Sequence, residues 1–189
     1  MINVDLSNVK PSGNGDYKRL SPTGYVCRIK KVENNDAKEY LKIYFDVAEG
    51  DEAGYAADIE TSFGNWPRAC TLNRSYKTSA LGMLKGFIET VQKSNSGYTW
   101  NNDENTLVGK LVGVVLREEA YIGPDKASGL DTEKTRLAAD YTTSIDKIRE
   151  GAFRVRDRKP LSDEDLQKLT PFSDVPAGYT DVTDEDLPF

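Results

Sequence analysis

Tyr40, Lys42 and Tyr44 alternate along one stretch of the chain, and Arg28 and Lys30 along another. Aromatic rings set between cations suit an unpaired polynucleotide. Cations neutralise phosphates, and rings stack on exposed bases at about 1–3 kcal/mol per base. Tyrosine and lysine are also ordinary residues of exposed strands. A second cluster, Phe63-Gly64-Asn65-Trp66-Pro67-Arg68, places two aromatics and a cation in a turn-rich segment, and Arg74, Tyr76 and Lys77 follow it. Trp66 beside glycine and proline either stacks on a base or plugs one end of the core. Trp100 reads as structural, and Lys134 and Arg136 either extend the basic track or are ordinary cations of an exposed strand. The candidate nucleic-acid-binding set is therefore Arg28, Lys30, Tyr40, Lys42, Tyr44, Trp66, Arg68, Arg74 and Lys77.

Other chemistries find little support. The chain has no histidine, which excludes histidine-based triads, histidine-ligated zinc and histidine pH switching. Cys27 and Cys70 lie far apart, in no metal-like spacing, and a reducing compartment is the simplest setting for them. There is no P-loop and no Gly-x-Gly-x-x-Gly before a helix. Asp58-Ile59-Glu60 would put two carboxylates on one face of a strand, enough to hold magnesium, but no lysine is arranged with them. The expectation is a protein that is not an enzyme and uses no metal or cofactor.

The elements that must carry these residues are mostly strands. Gly24 to Asn34 alternates Tyr25, Cys27 and Ile29 with Val26, Arg28 and Lys30, and the alternation slips at Lys31-Val32, where a bulge is expected. Asn34-Asn35-Asp36 reads as a turn. Tyr40 to Ala48 is the clearest strand, with Leu41, Ile43, Phe45 and Val47 on one face. Pairing these two strands as a hairpin puts Cys27, Ile29, Leu41, Ile43, Phe45 and Val47 inside and the basic-aromatic set outside. Ala57 to Phe63 reads as a weaker third strand. Thr78 to Lys93 is an amphipathic helix, with Leu81, Leu84, Phe87, Ile88 and Val91 at helical spacing. Leu107 to Ile122 and Glu133 to Thr142 complete the set. Three strands, a helix and two strands is the order of the mainly-β, five-stranded oligonucleotide-binding (OB) barrel, whose main helix sits between strands 3 and 4. An early bulge suits the coiled first strand of a barrel.

Charge divides the chain. From Pro160 to Phe189 there are eight acids against Lys168, a charge of −7, while the first 159 residues hold 24 bases and 23 acids, a charge of +1. The acidic segment also carries four prolines and few large apolar residues, so it cannot offset its ordering entropy. One short helix is expected there, Asp163 to Leu169, capped by Ser162. The plan is a loose arm over 1–22, a folded domain over 23–158 and an acidic, largely disordered tail over 159–189. No segment approaches the roughly 18–20 apolar residues of a membrane helix, and Met1 to Lys10 lacks a signal-peptide pattern, so a cytoplasmic protein is expected.

The chain ends Asp184-Glu185-Asp186-Leu187-Pro188-Phe189. This resembles the C-terminal tail of bacterial and phage single-stranded DNA-binding (SSB) proteins. A terminal phenylalanine fills an apolar pocket, its carboxylate meets a basic residue, and the upstream acids steer the approach. Further segments, Gly24-Tyr25-Val26, Glu39-Tyr40-Leu41-Lys42-Ile43, Ser75-Tyr76-Lys77, Lys85-Gly86-Phe87-Ile88, Ser94 to Trp100, Leu107-Val108-Gly109-Lys110 and Ser144 to Arg149, resemble an SSB-like family of phages and mobile elements of Gram-positive bacteria. The resemblance covers roughly residues 22–158. It implies an OB barrel that binds single-stranded DNA during replication or recombination. It assigns no individual binding residues, and the near-neutral folded part means that binding must rest on a local patch.

The expected function is non-sequence-specific binding and protection of single-stranded DNA in phage or mobile-element replication and recombination. Asp184 to Phe189 would recruit replication, recombination or repair proteins. The alternative is an adaptor or inhibitor whose acidic tail engages a host DNA-processing enzyme without DNA binding by the domain. A barrel that prefers structured RNA is a third reading. Exposed strand edges could pair between chains, making a homo-oligomer.

Overall fold

A computed structural model describes residues 18–169. The sheet strands are β1 (Gly24–Asn35), β2 (Tyr40–Val47), β3 (Thr71–Ser75), β4 (Leu111–Pro124) and β5 (Asp131–Thr143). The helices are α1 (Tyr55–Phe63), α2 (Leu81–Ser94), α3 (Ile145–Arg149) and α4 (Asp163–Leu169). The architecture is mainly β: one five-stranded antiparallel sheet in the order β3-β2-β1-β4-β5. The main helix α2 lies between the third and fourth strands in chain order, as expected. The sheet is not closed into a barrel. β3 and β5 form its two edges, and no pairing joins them among the described residues.

The chain divides into two compact units. The first runs to Glu118 and resumes over Leu137–Asp157. Its core forms on one face of the sheet, where β1 and β2 contribute Cys27, Ile29, Leu41, Ile43, Phe45 and Val47, all buried as their alternation requires. Leu72, Val112, Val114 and Leu116 continue the layer, and α2 covers it with Phe87, Ile88 and Val91. Leu81, expected on that apolar stripe, is instead about half exposed at the first residue of the helix. Asn95 ties the end of α2 to β4. Its side-chain amide donates to the Leu111 carbonyl at 2.8 Å and accepts from the Leu111 N–H at 3.0 Å. Trp100 packs partly buried against the same core.

The opposite face is covered by α3 where two strands carry glycine. A Cβ on Gly113 would lie 2.6 Å from Ile148 Cγ1 and 2.7 Å from the Thr143 carbonyl oxygen. A Cβ on Gly24 would meet Ile148 and Phe153 at 2.7–2.9 Å. Only hydrogen side chains let α3 approach the sheet this closely.

The second unit takes Glu119–Arg136 and continues from Arg158. Within it, Arg136 is bound to Glu119 at 2.7 Å and lies over the Tyr121 ring. Lys159 bridges to Glu119 and Leu161 is buried. Ser162 Oγ accepts from the Asp165 N–H at 3.2 Å, capping α4 over the expected residues.

Two expectations are corrected. Ala57 to Phe63 is helical, the greater part of α1, and the third strand is Thr71–Ser75. A buried carboxylate decides the first point: Asp46, only 2% exposed, accepts from the Ala56 N–H at 2.7 Å and caps the first turn of α1. Gly64, at a φ of 69°, ends the helix with its N–H on the Glu60 carbonyl. On a helix Asp58 and Glu60 no longer share a face, and Asp58 pairs with Lys18 at 3.6 Å. β3 escaped notice because it is five residues long and buries only Leu72.

Candidate nucleic-acid interface

The outer face of β1 and β2 is built around a bulge. The register steps from Ile29 opposite Phe45 to Lys31 opposite Tyr44, leaving Lys30 as the extra residue. A bulge sets two residues of one strand against one of its partner. Lys30 and Lys31 consequently both face the Tyr44 position, and both line a cleft of about 360 Å³ with Tyr44, Ala57, Glu60 and Trp66. Ala57 and Glu60 come from α1, three residues apart and so on one helix face. The bulge was expected at Lys31-Val32 and lies one residue earlier.

Tyr44 is the centre of the arrangement. Its ring meets Trp66 edge to face, with centroids 6.2 Å apart and planes at 84°. Lys42 Nζ lies 4.8 Å and Lys31 Nζ 5.5 Å from its centroid. Its hydroxyl donates to Glu33 Oε2 at 2.6 Å. Trp66 is half-buried, and its indole N–H donates to the Cys70 carbonyl at 3.0 Å. Trp66 packs against the core and also lines the cleft.

Glu33 partly neutralises the patch. Lys31 Nζ lies 2.6 Å from Glu33 Oε1. The hydrogen bonds from Lys31 and Tyr44 hold the Glu33 carboxyl below the usual carboxylate range, and Glu33 in turn raises Lys31. Lys42 is also raised, first through its contact with the Tyr44 hydroxyl.

The remaining candidates distribute unevenly. Tyr40 opposes Asn35 and Ser75 on the same face as Lys42 and Tyr44, farther along β2. Arg28 is exposed on β1 but turns its guanidinium to the Gly109 carbonyl at 3.0 Å, and it does not line the cleft. Arg68 is exposed two residues beyond Trp66, in the 3-10 turn Arg68–Cys70. Lys77 is exposed after β3, with its N–H on Ser75 Oγ. Arg74 does not join the face. It opposes Leu41 and so points to the α2 side of the sheet, with its guanidinium 5.8 Å from the Phe87 ring. Burial lowers its pKa. The segment Asp184 to Phe189 lies outside the described residues.

Sequence reasoning missed Lys31, Glu33 and Ala57, and it weighed Glu60 only as a metal-holding acid beside Asp58. The slip in alternation was the available signal for Lys31, because a bulge brings consecutive residues to one side. Ala57 and Glu60 were hidden by reading α1 as a strand. Among the described residues no group of three or more carboxylate or thiol side chains is placed to hold a metal, and no helix is long and apolar enough to cross a membrane. The chain matches no family model and no curated protein.

Proposed function

We propose that this protein binds single-stranded DNA without strong sequence preference, through the cleft between the β1–β2 face and α1. The observation that carries this reading is the Tyr44–Trp66 pair flanked by Lys30, Lys31 and Lys42. The rings offer stacking surfaces to unpaired bases, and the lysines offer charge to the phosphates between them. A paired duplex hides its base faces and has no use for the rings. The sheet with α2 between its third and fourth strands supports an open variant of the OB fold, whose second and third strands commonly form the oligonucleotide face. The resemblance of the sequence to SSB-like proteins of phages and mobile elements supports a role in replication or recombination. Asp184 to Phe189 would then dock partner proteins.

The test is a titration of the full chain with a mixed-sequence single strand and with duplex of equal length, at two salt concentrations. Tight, salt-sensitive binding of the single strand with a weak duplex response is expected. Silence with both at low salt would refute the reading. It would favour the adaptor alternative, for which the −7 charge of the acidic segment is the supporting feature.

A further inference from the structure

The sheet face that carries the cleft holds a second group of cations. On β4, Val112, Val114 and Leu116 belong to the core, so Gly113, Val115 and Arg117 face the other way, with the cleft. Val115 opposes Gly24 of β1. Arg117 lies two residues past that level on β4, and Lys31 seven residues past it on β1, in the opposite direction along the sheet. The two places are on the order of 30 Å apart along the strands. Gly24 and Gly113, the glycines that α3 covers, lie between them.

Asp140 of β5 organises this second group. Its side chain is 2% exposed, and a buried carboxylate requires a cation. Arg117 Nε lies 3.1 Å from Oδ1 on a side chain 22% exposed, and it meets that requirement. Arg156 Nη1 approaches the same oxygen at 3.4 Å on a side chain 58% exposed, while Oδ2 is buried without a partner. One carboxylate therefore holds two guanidiniums, and the outer one keeps its charge. Even with the exposed Asp157 counted, Arg117, Arg154 and Arg156 leave a net +1 against Asp140.

The outer guanidinium is also fixed in place. Arg156 lies 5.3 Å from the Tyr141 ring. The Tyr141 hydroxyl accepts from the Arg154 N–H at 3.1 Å and donates to the Arg154 carbonyl at 2.9 Å, which holds the ring. Apart from the Nη1 bond to Asp140, the Arg156 fork makes no hydrogen bond among the described residues. Arg154, two residues away, is exposed, and its side chain makes no ion pair among them. A guanidinium held on a ring with most of its donors free is pre-organised for a phosphate, whose oxygens match the fork.

We propose that Arg154 and Arg156 form a second phosphate-binding station for the same single strand, on the far side of α3 from the cleft. The proposal rests on the single-strand reading above. Fluorescein-labelled oligo-dT of about 16 nucleotides tests it on the full chain by anisotropy at four salt concentrations. Even stacked at about 3.4 Å per nucleotide, that strand is long enough to reach both places.

Each phosphate contact adds about −0.7 to the slope of log K against log[salt]. The double variant Arg154→Gln/Arg156→Gln should flatten the slope by about 1.4. Between about 50 and about 200 mM salt the native protein then loses about sevenfold more affinity than the variant. Arg156→Lys keeps the charge and should keep the native slope. Lys85→Gln removes a cation from α2, on the opposite side of the sheet, and should leave the slope as it is. Arg154→Gln alone should flatten the slope by about 0.7. It leaves the Asp140 ion pairs intact, so it reads the station even where the double variant fails to fold. A role confined to fastening this segment to β5 would lower the melting temperature and leave every slope unchanged. Native slopes in Arg154→Gln and in the folded double variant, or an equal flattening in Lys85→Gln, would overturn the proposal and leave single-strand binding standing. Failure of the native protein to bind oligo-dT would overturn both.

Discussion

The ion pair between Lys31 and Glu33 makes a quantitative prediction about binding. With Glu33 bound to Lys31 at 2.6 Å and to the Tyr44 hydroxyl at 2.6 Å, Lys31 is engaged, which leaves Lys30 in the cleft and Lys42 beside the Tyr44 ring for phosphates. Glu33→Gln removes the anion and releases Lys31. For a single strand, log K falls with log[salt] at a slope of about −0.7 per phosphate neutralised. Lys30, Lys31 and Lys42 alone therefore give a slope of about −1.4 in the native protein and about −2.1 in Glu33→Gln. Raising salt from about 50 to about 200 mM would weaken native binding by about sevenfold and variant binding by about eighteenfold. The variant binds more tightly throughout, with the largest margin at low salt. Phosphate contacts elsewhere shift both slopes equally and leave the difference. Anisotropy titrations at four salt concentrations read it directly. The pair is exposed, so the fold should be little affected. Parallel salt plots of equal height would refute the claim that Lys31 is a phosphate ligand held in reserve by Glu33.

Tyr44→Ala and Trp66→Ala should each weaken single-strand binding by about five- to a hundredfold, the range set by stacking on one base, whereas Tyr44→Phe keeps the ring and should lose little; equal losses in Tyr44→Phe and Tyr44→Ala would show that the hydroxyl, not the ring, matters. Gly113→Ala drives a methyl into Ile148 and the Thr143 carbonyl and should cost about 1–3 kcal/mol in a denaturant melt. Gly82→Ala, in α2 with nothing within 4 Å of the new methyl, should instead stabilise by about 0.4–1 kcal/mol; the opposite order would overturn the packing described for α3. Burial pushes the Cys27 thiol well above its ordinary value and Cys70 up to about 12. Because the raised values keep both thiols neutral through pH 9, native protein should resist alkylation there and react only after unfolding, and rapid modification of native protein would refute their burial.

What the sequence disclosed follows from period and charge. The alternation of β2 is strict over eight residues, and the inward set it implied with β1 is buried throughout. The stripe on α2 was equally plain, apart from Leu81 at its exposed first residue. α1 was not legible because Ala57, Ile59 and Phe63 fall at the even spacing of a strand, and the helix buries only Ala56. The feature that decides between them, Asp46, lies on another strand and appeared in the sequence as one more outward polar residue. β3 is too short and polar to show a period. Arg74 was misassigned for the same reason, because without a register no face could be given to it. Of the basic-aromatic set, Lys30, Tyr44 and Trp66 line the cleft. Glu33 was not legible, because the search of this face sought cations and rings, and Glu60 was placed on a strand beside Asp58 instead of on a helix facing Lys31 and Tyr44.

The bulge at Lys30 has a bearing on how this protein can vary. Losing one residue from the middle of a strand ordinarily turns every later side chain to the wrong face. Here the strand carries one residue more than its partner needs, so excising Lys30 would restore simple alternation: Ile29 inward, Lys31 outward, Val32 inward, each beside its present neighbour on β2. The core would not register the change, while the cleft would lose one of its cations. A single codon can thus enter or leave at this point and change the charge of the cleft with the hydrophobic interior untouched. Among descendants of such a chain, length polymorphism at this position would be a record of selection on ligand rather than on fold.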